Sequence, residues 1–356
     1  GSHNPPEYNG FKMCVGTSSL HGAEIQSLYG IIERAAFRTG SGAIRREEVI
    51  DRYIEDVVSR VGQLSRPLRV VADCGNGVGA LVGPRLLERL GAQVTPIFCE
   101  SDGSFPNHHP DPTVVENLHD IIRAVGEERA DVGIAFDGDA DRIGVIDEKG
   151  GIVWGDHILI IYARDVLERT GANQPIIFDV KCSQALPDAI VTAGGIPVMW
   201  KTGHSLIKDK MKELGAPLAG EMSGHMFFSE GFYGHDDALY GAARLLRIVA
   251  DSGKSVSELL SDVPKFISTP EIRVEVPEAQ KFGIVADAVR HFSKGREVID
   301  VDGVRVLFGD GWGLIRASNT QPVLVMRFEA LSEARLREIR GEFEEWLHAQ
   351  GVAIAR

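Results

Sequence analysis

Leu68-Arg69-Val70-Val71-Ala72-Asp73 is a short apolar run that ends on an acid, and the segments after it decide the fold. A Gly-rich turn comes next, then a helical stretch with Leu86, Leu87 and Leu90 on one face, then Gly91 and the run Val94-Thr95-Pro96-Ile97. That is the order of a strand, a crossover helix and a parallel strand. The same order returns from residue 176. Ile176-Ile177-Phe178-Asp179 opens it, a helix runs through Ala189 and Ile190, Gly194-Gly195 breaks it, and Ile196-Pro197-Val198-Met199-Trp200 closes it. The repetition predicts two similar α/β domains with largely parallel mixed sheets.

The last ninety residues change character. Strand-like Glu271-Ile272-Arg273-Val274-Glu275-Val276 precedes a helix, and Val304 to Phe308, Trp312 to Arg316 and Val323 to Phe328 read as consecutive antiparallel strands. A final helix keeps Leu336, Ile339, Phe343, Trp346 and Leu347 at the spacing of a single apolar face, with Ser332 placed to cap it. These elements predict a smaller C-terminal α+β domain.

Composition sets wider bounds. A chain of 356 residues with 44% apolar content can bury large cores, and its length predicts two or three domains. No apolar run approaches a membrane span, and no basic-then-apolar signal opens the chain. Cys14, Cys74, Cys99 and Cys182 are scattered without paired spacing, so neither a zinc site nor a disulfide framework is expected, and a reducing cytoplasm fits. The net charge of −13 argues against nonspecific nucleic-acid binding, which rests on a broad basic surface. An anionic small substrate must then find a locally basic pocket.

The chemistry gathers after the apolar run Val132-Gly133-Ile134-Ala135-Phe136, where the chain reads Asp137-Gly138-Asp139-Ala140-Asp141-Arg142. Alternation lets three carboxylates converge on one oxygen-loving cation such as Mg²⁺, and without it they would repel one another. An ion so placed suggests phosphate chemistry. An EF-hand would also carry these acids, with Glu148 as the twelfth residue, but its sixth position must be Gly and here it is Arg142. A phosphatase using Asp137 as nucleophile shares the strand-then-acid layout, and a plain solvated turn remains a third reading.

Four loops taken together are more specific. Ser2-His3-Asn4-Pro5, Asp137 to Arg142, Glu221-Met222-Ser223-Gly224-His225 and Arg316-Ala317-Ser318-Asn319-Thr320 resemble, in order and over effectively the whole chain, the α-D-phosphohexomutase superfamily in its phosphomannomutase/phosphoglucomutase branch. Most of the family's first domain, upstream of the serine loop, is absent from the match. The resemblance implies that residues 1–44 are a remnant of the phosphoserine-loop α/β domain. It makes 45–151 a metal-binding α/β domain, 152–265 a sugar-binding α/β domain and 266–356 a phosphate-binding α+β domain.

Residue roles follow from the same resemblance. Ser2 would carry a phosphoryl group and complete the coordination of magnesium with Asp137, Asp139 and Asp141. Lys12 becomes a proton shuttle or transition-state clamp, and Arg142 faces the transferring group. Glu221 and Ser223 would hold sugar hydroxyls, while Met222 marks the branch that accepts both mannose and glucose phosphates. His225 would assist proton transfer or orient its loop, and Lys181, Lys201 and His204 would line the cleft. Arg316, Ser318, Asn319 and Thr320 would cradle a distal phosphate, joined by Arg327.

The implied activity is magnesium-dependent interconversion of hexose 1-phosphate and hexose 6-phosphate through phosphoserine and a bisphosphorylated sugar. Glucose or mannose 1,6-bisphosphate would be the activator. The expected setting is a cytoplasmic monomer whose partners are hexose phosphates, with no nucleic acid and no membrane. Two other classes stay open: a metal-dependent phosphatase, and a chain that binds sugar phosphate without turning it over.

Overall fold

The computed structural model describes residues 10–16, 18–20, 22–319, 321–352 and 354. Near its start β1 (Cys14–Val15) pairs antiparallel with β2 (Ser18–Ser19), and α1 (Ala23–Glu33) comes next with none of its residues buried. The next helix, α2 (Ile50–Val61), buries Ile54, Val57 and Val61, the three-and-four spacing of an amphipathic face.

The first α/β domain contains β3 (Arg69–Asp73), α3 (Gly83–Arg89), β4 (Gln93–Ile97), α4 (His119–Glu128), β5 (Val132–Phe136), β6 (Ile143–Ile146) and β7 (Ile152–Val153). The second contains α5 (Gly155–Thr170), β8 (Pro175–Asp179), α6 (Ala185–Thr192), β9 (Ile196–Trp200), α7 (His204–Leu214), β10 (Leu218–Gly220), β11 (Met226–Phe228) and α8 (Ala238–Ser252). Their sheets run β4-β3-β5-β6-β7 and β9-β8-β10-β11. In each, the first strand lies between the second and third, all three parallel, and the fourth turns back antiparallel. The repeat read from the sequence is therefore a repeat of topology. A first strand with neighbours on both sides creates a switch point, where loops at the carboxyl ends diverge and leave a crevice.

One hydrophobic core runs through both α/β units. It joins Val70, Ile134 and Phe136 of the first sheet to Ile176, Phe178 and Leu218 of the second. The connector is α8, which packs against α2, α3 and α5 and is buried along most of its length. Its N-terminus is capped by Asp237, whose carboxylate accepts from the Tyr240 N–H at 2.8 Å and from the Tyr53 hydroxyl of α2 at 2.9 Å.

After α9 (Val256–Leu259) come β12 (Ile267–Ser268), β13 (Ile272–Glu275), α10 (Lys281–Phe292), β14 (Val298–Ile299), β15 (Val304–Leu307), β16 (Gly311–Ala317), β17 (Val323–Ala330) and α11 (Glu333–Ala349). This sheet is antiparallel throughout, ordered β12-β17-β16-β15-β14 with β13 also on β17. Phe292, Phe328 and Phe343 pack together under α10 and α11, and Ser332 caps α11 as its spacing predicts. The opposite face, with Trp312 and Leu314, lies on Val180 of the second α/β domain.

Glu148, the would-be twelfth residue of a calcium loop, accepts hydrogen bonds from the Ser255 and Ser257 hydroxyls at the start of α9. Cys74 and Cys99 are free thiols whose Sγ atoms lie 2.8 Å apart beyond the ends of paired β3 and β4, a proximity that their separation in sequence hid. Among the described residues, no helix is long and apolar enough to cross a membrane.

Candidate active site

Two loops at equivalent places in the repeat make the centre of the site. Asp137 follows the third strand of the first sheet and Glu221 the third strand of the second. Asp137 anchors its own loop: Oδ1 accepts the N–H groups of Asp141 and Arg142 at 2.9 and 3.0 Å. The Gly75-Asn76-Gly77 turn braces it from outside, with the Val78 N–H on the Gly138 carbonyl at 3.0 Å. At Gly77 an added Cβ would lie 2.8 Å from that carbonyl oxygen, so only glycine lets the two turns meet.

Asp137, Asp139 and Asp141 each offer a carboxylate oxygen within 4.8 Å of the others. Burial, then the charges of Asp141 and Asp139, push the Asp137 carboxyl up to about 7. Three hard oxygen donors that repel in this way fit a divalent cation of the magnesium type. Lys12 ion-pairs with Asp141 and sits 3.5 Å from Asp139. Its burial favours the neutral amine, but the charge and hydrogen bond of Asp141 with the charges of Asp236 and Asp139 together outweigh that and hold the pKa above the ordinary lysine value.

The second loop locks onto the first. An antiparallel bridge pairs Arg142 with His225, and the Ile143 N–H donates to the Gly224 carbonyl at 3.1 Å. Gly224 has φ +96°, and a Cβ there would meet the Ile143 oxygen at 2.5 Å. His225 is buried between two carboxylates, with Nδ1 2.7 Å from Glu221 Oε2 and Nε2 3.1 Å from Asp141 Oδ1. Burial alone would lower its pKa, yet hydrogen bonds to Asp141 and Glu221 raise it to about 9. Ser223 Oγ lies 3.2 Å from the same Nδ1, and Arg142 Nε is 3.3 Å from Nε2. Glu221, despite burial that opposes ionisation, is held down at about 2 by His225 and by its other neighbours.

A third segment, Thr202-Gly203-His204, links several parts of the site. The Gly203 N–H donates to Glu221 Oε1 at 2.6 Å, and the Thr202 N–H donates to Asp302 Oδ2 at 3.0 Å. That same Asp302 oxygen accepts from Arg316 Nε at 2.8 Å. His204 opens α7 with Nδ1 3.5 Å from Asp236 Oδ2, which is itself 3.7 Å from Lys12 Nζ. Burial lowers the His204 pKa. Among the described residues, His204 Nδ1 and Asp236 Oδ2 are both buried without a hydrogen-bond partner. Buried polar atoms left this way are cheap only when a ligand or water meets them.

The C-terminal loop lies after β16. Arg316 and Ser318 are buried, Asn319 is exposed, and the Gln321 N–H donates to Ser318 Oγ at 3.2 Å. A guanidinium fork beside a hydroxyl and turn N–H groups is able to hold phosphate oxygens without a metal.

Comparison with known proteins shows the family to which this fold belongs. Family profiles described as phosphoglucomutase/phosphomannomutase, alpha/beta/alpha domain II, alpha/beta/alpha domain III and C-terminal domain match residues 51–151, 154–266 and 271–345. The chain is 49% identical over 351 residues to a phosphomannomutase/phosphoglucomutase of Pseudomonas aeruginosa, covering 98% of this chain and 75% of that protein. It is 46% identical to a phosphoglucomutase of Neisseria gonorrhoeae, covering 97% and 75%. A crystal structure of a phosphoglucomutase/phosphomannomutase family protein from Burkholderia thailandensis superposes with a TM-score of 0.91 at 45% identity, over 99% of this chain and 76% of that one. The chain belongs to the phosphoglucomutase/phosphomannomutase family.

Within that family fold, the residues expected from the sequence are placed differently. Lys12, Asp137, Asp139, Asp141, Arg142, His204, Glu221, Ser223 and His225 form one connected cluster. Lys181 and Arg316 join its rim. Lys181 Nζ lies 2.6 Å from Glu271 and 3.6 Å from Asp179, whose charges raise its pKa against the effect of burial. Lys201 is exposed at the end of β9. Arg327 stands apart from the cradle: β17 pairs it with Leu314, and its Nη1 donates to the Lys181 carbonyl at 2.5 Å. Ser2 and Thr320 lie outside the described residues.

Sequence reading missed Asp236, Lys208 and Asp302. Lys208 Nζ lies 3.0 Å from Asp236 Oδ1, one turn along α7 from His204. Asp236 sits beside the recognisable cap Asp237, and Asp302 opens an Asp-Gly turn, so local sequence explains both acids without any site.

Proposed function

We propose that this chain interconverts hexose 1-phosphate and hexose 6-phosphate, taking both mannose and glucose phosphates, by way of a phosphoserine at Ser2 and a bisphosphorylated sugar. Asp137, Asp139 and Asp141 would hold Mg²⁺, and glucose or mannose 1,6-bisphosphate would prime the serine. The observation that carries the reading is the Thr202-Gly203-His204 segment. It binds Glu221, the Lys12–Asp236 corner and Asp302, the carboxylate that holds Arg316, which supports reading a distal phosphate anchor and an acidic metal loop as parts of one site.

The chain's own groups divide the work. Arg316 and Ser318 would anchor the phosphate already on the sugar, which turns the attack of the remote hydroxyl into an oriented, nearly unimolecular step. Glu221 keeps its negative charge and would accept from sugar hydroxyls, with Ser223 beside it. Lys12, protonated, would stabilise negative charge on the moving phosphoryl group, and Arg142 would orient it. His225, whose pKa is raised to about 9, would keep Asp141 and Glu221 ionised and would exchange a proton with a sugar oxygen. When bound, Mg²⁺ would neutralise the aspartates and polarise the phosphoryl oxygens.

A pocket that must accept the bisphosphate in both orientations recognises few features of the ring, which supports tolerance of mannose and glucose alike. The same reading makes the protein a cytoplasmic monomer without nucleic-acid or membrane partners. Its four cysteines are all thiols, as a reducing compartment keeps them.

Phosphorus NMR tests the proposal. Glucose 1-phosphate and mannose 1-phosphate, each with a trace of the 1,6-bisphosphate and Mg²⁺, should convert to the 6-phosphates. Ser2→Ala and exhaustive chelation should each stop conversion, and Asp139→Asn should raise the Mg²⁺ needed for half-maximal turnover. Release of inorganic phosphate with a label trapped on Asp137 would instead identify a phosphatase. Turnover that survives both Ser2→Ala and chelation would overturn the mechanism.

A further inference from the structure

The loop that carries Lys181 is held from another domain. After β8 the chain passes through Val180-Lys181-Cys182-Ser183-Gln184 into α6, and three consecutive carbonyls of this loop are taken by two arginines of the C-terminal sheet. Arg305 on β15 donates through Nη1 to Val180 O at 2.9 Å and to Cys182 O at 2.6 Å. Arg327 on β17 donates through Nη1 to Lys181 O at 2.5 Å. The next N–H groups along the loop are also taken, Ser183 N by Asp156 Oδ2 and Gln184 N by Glu329 Oε1, both at 2.9 Å.

This arrangement is costly for a mere domain contact. Arg305 is wholly buried and Arg327 nearly so, and among the described residues the Nε of each has no hydrogen-bond partner. The Arg305 guanidinium lies 3.8 Å from the centroid of the Trp312 ring, and Trp312 Nε1 donates to Glu329 at 2.7 Å. Burial pushes the Arg305 pKa down to about 10, which still leaves the fork charged at neutral pH. An apolar pair would fill the space at less cost, but it would leave three successive carbonyls without these donors.

We propose that Arg305 and Arg327 are positioning residues. They fix the backbone on either side of Lys181, so the C-terminal domain sets where the Lys181 ammonium meets the hexose phosphate while neither guanidinium touches it. The proposal rests on the reading of Lys181 as a cleft residue.

A double-mutant cycle on the whole chain tests it, with glucose 6-phosphate binding measured by calorimetry for the unmodified protein, Arg305→Lys, Lys181→Ala and the pair. A lysine, shorter and without a planar guanidinium, loses the Nη2 contact with Gln184 Oε1 at 3.3 Å and the stacking over Trp312 that aim Nη1 at both carbonyls. Arg305→Lys should weaken binding about tenfold when Lys181 is present and less than about twofold when it is absent. Losses that simply multiply would make Arg305 a structural residue and overturn the clasp. An unchanged affinity in Lys181→Ala alone would instead overturn the cleft reading, and the proposal with it. A second measurement needs no variant to fold. In the unmodified chain, glucose 6-phosphate should slow amide exchange in residues 180–184 and 304–307 together, and protection of the first segment alone would refute the coupling.

Discussion

Asp302→Ala should disarm the phosphate cradle without altering any group that touches the sugar. One oxygen of Asp302 accepts from Arg316 Nε at 2.8 Å and from the Thr202 N–H at 3.0 Å. The Arg316 side chain is only 7% exposed and that of Asp302 14%, so water cannot readily replace the lost acceptor. Each donor left unpaired in such a place costs about 1–3 kcal/mol. Part of that is recovered when Arg316 turns, but a fork that turns no longer presents its two remaining nitrogens to a phosphate. A net loss of about 2 kcal/mol, roughly thirtyfold in affinity, is the expected outcome. Asp302→Asn keeps an acceptor for Thr202 but loses the charge, and should cost about 1 kcal/mol, roughly fivefold. The assay is calorimetric titration with glucose 6-phosphate, beside turnover of glucose 1-phosphate. If Asp302→Ala bound the ligand as tightly as the unmodified protein, Arg316 would owe its orientation to something other than this carboxylate. The link from cradle to cleft through Thr202 would then fail.

Two other outcomes concern the first α/β domain. His108 has Nε2 3.1 Å from the buried Asp73 carboxylate, and that hydrogen bond, against some desolvation, raises its pKa above the ordinary value. A raised folded-state pKa adds stability below the unfolded value of about 6.5 and loses it as pH rises through the folded value. The melting-temperature gap between the unmodified protein and His108→Gln should be widest near pH 6 and shrink above neutrality; a gap that widened with pH would refute the assignment. Gly77→Ala would force a Cβ to within 2.9 Å of the Gly138 Cα as well as its carbonyl, a clash between two backbones that costs about 1–3 kcal/mol. The Mg²⁺ needed for half-maximal turnover should rise, and an unchanged metal requirement would show that the Asp137 loop does not depend on its neighbour.

Patterns confined to a few neighbouring residues were legible in the chain. The acid-ended runs at Leu68 and Ile176 became first strands of two sheets with one shared topology, and the face of Leu336, Ile339 and Phe343 became the buried side of α11. The carboxylates of Asp137, Asp139 and Asp141 were readable because their convergence is set by one turn. Partners far apart in sequence were not. Asp236 and Asp302 look like ordinary turn acids, Arg327 looks like a neighbour of Arg316, and Cys74 and Cys99 look unrelated. Only the packing of three domains brought Asp302 under Arg316 and Thr202, turned Arg327 onto the Lys181 carbonyl, and set His225 between Asp141 and Glu221. Local backbone preference and apolar period act over one or two turns of chain, and so they are written in the sequence itself. The protonation of His225 and the aim of Arg327 depend on burial and on charges brought from other elements, which exist only once the chain has folded.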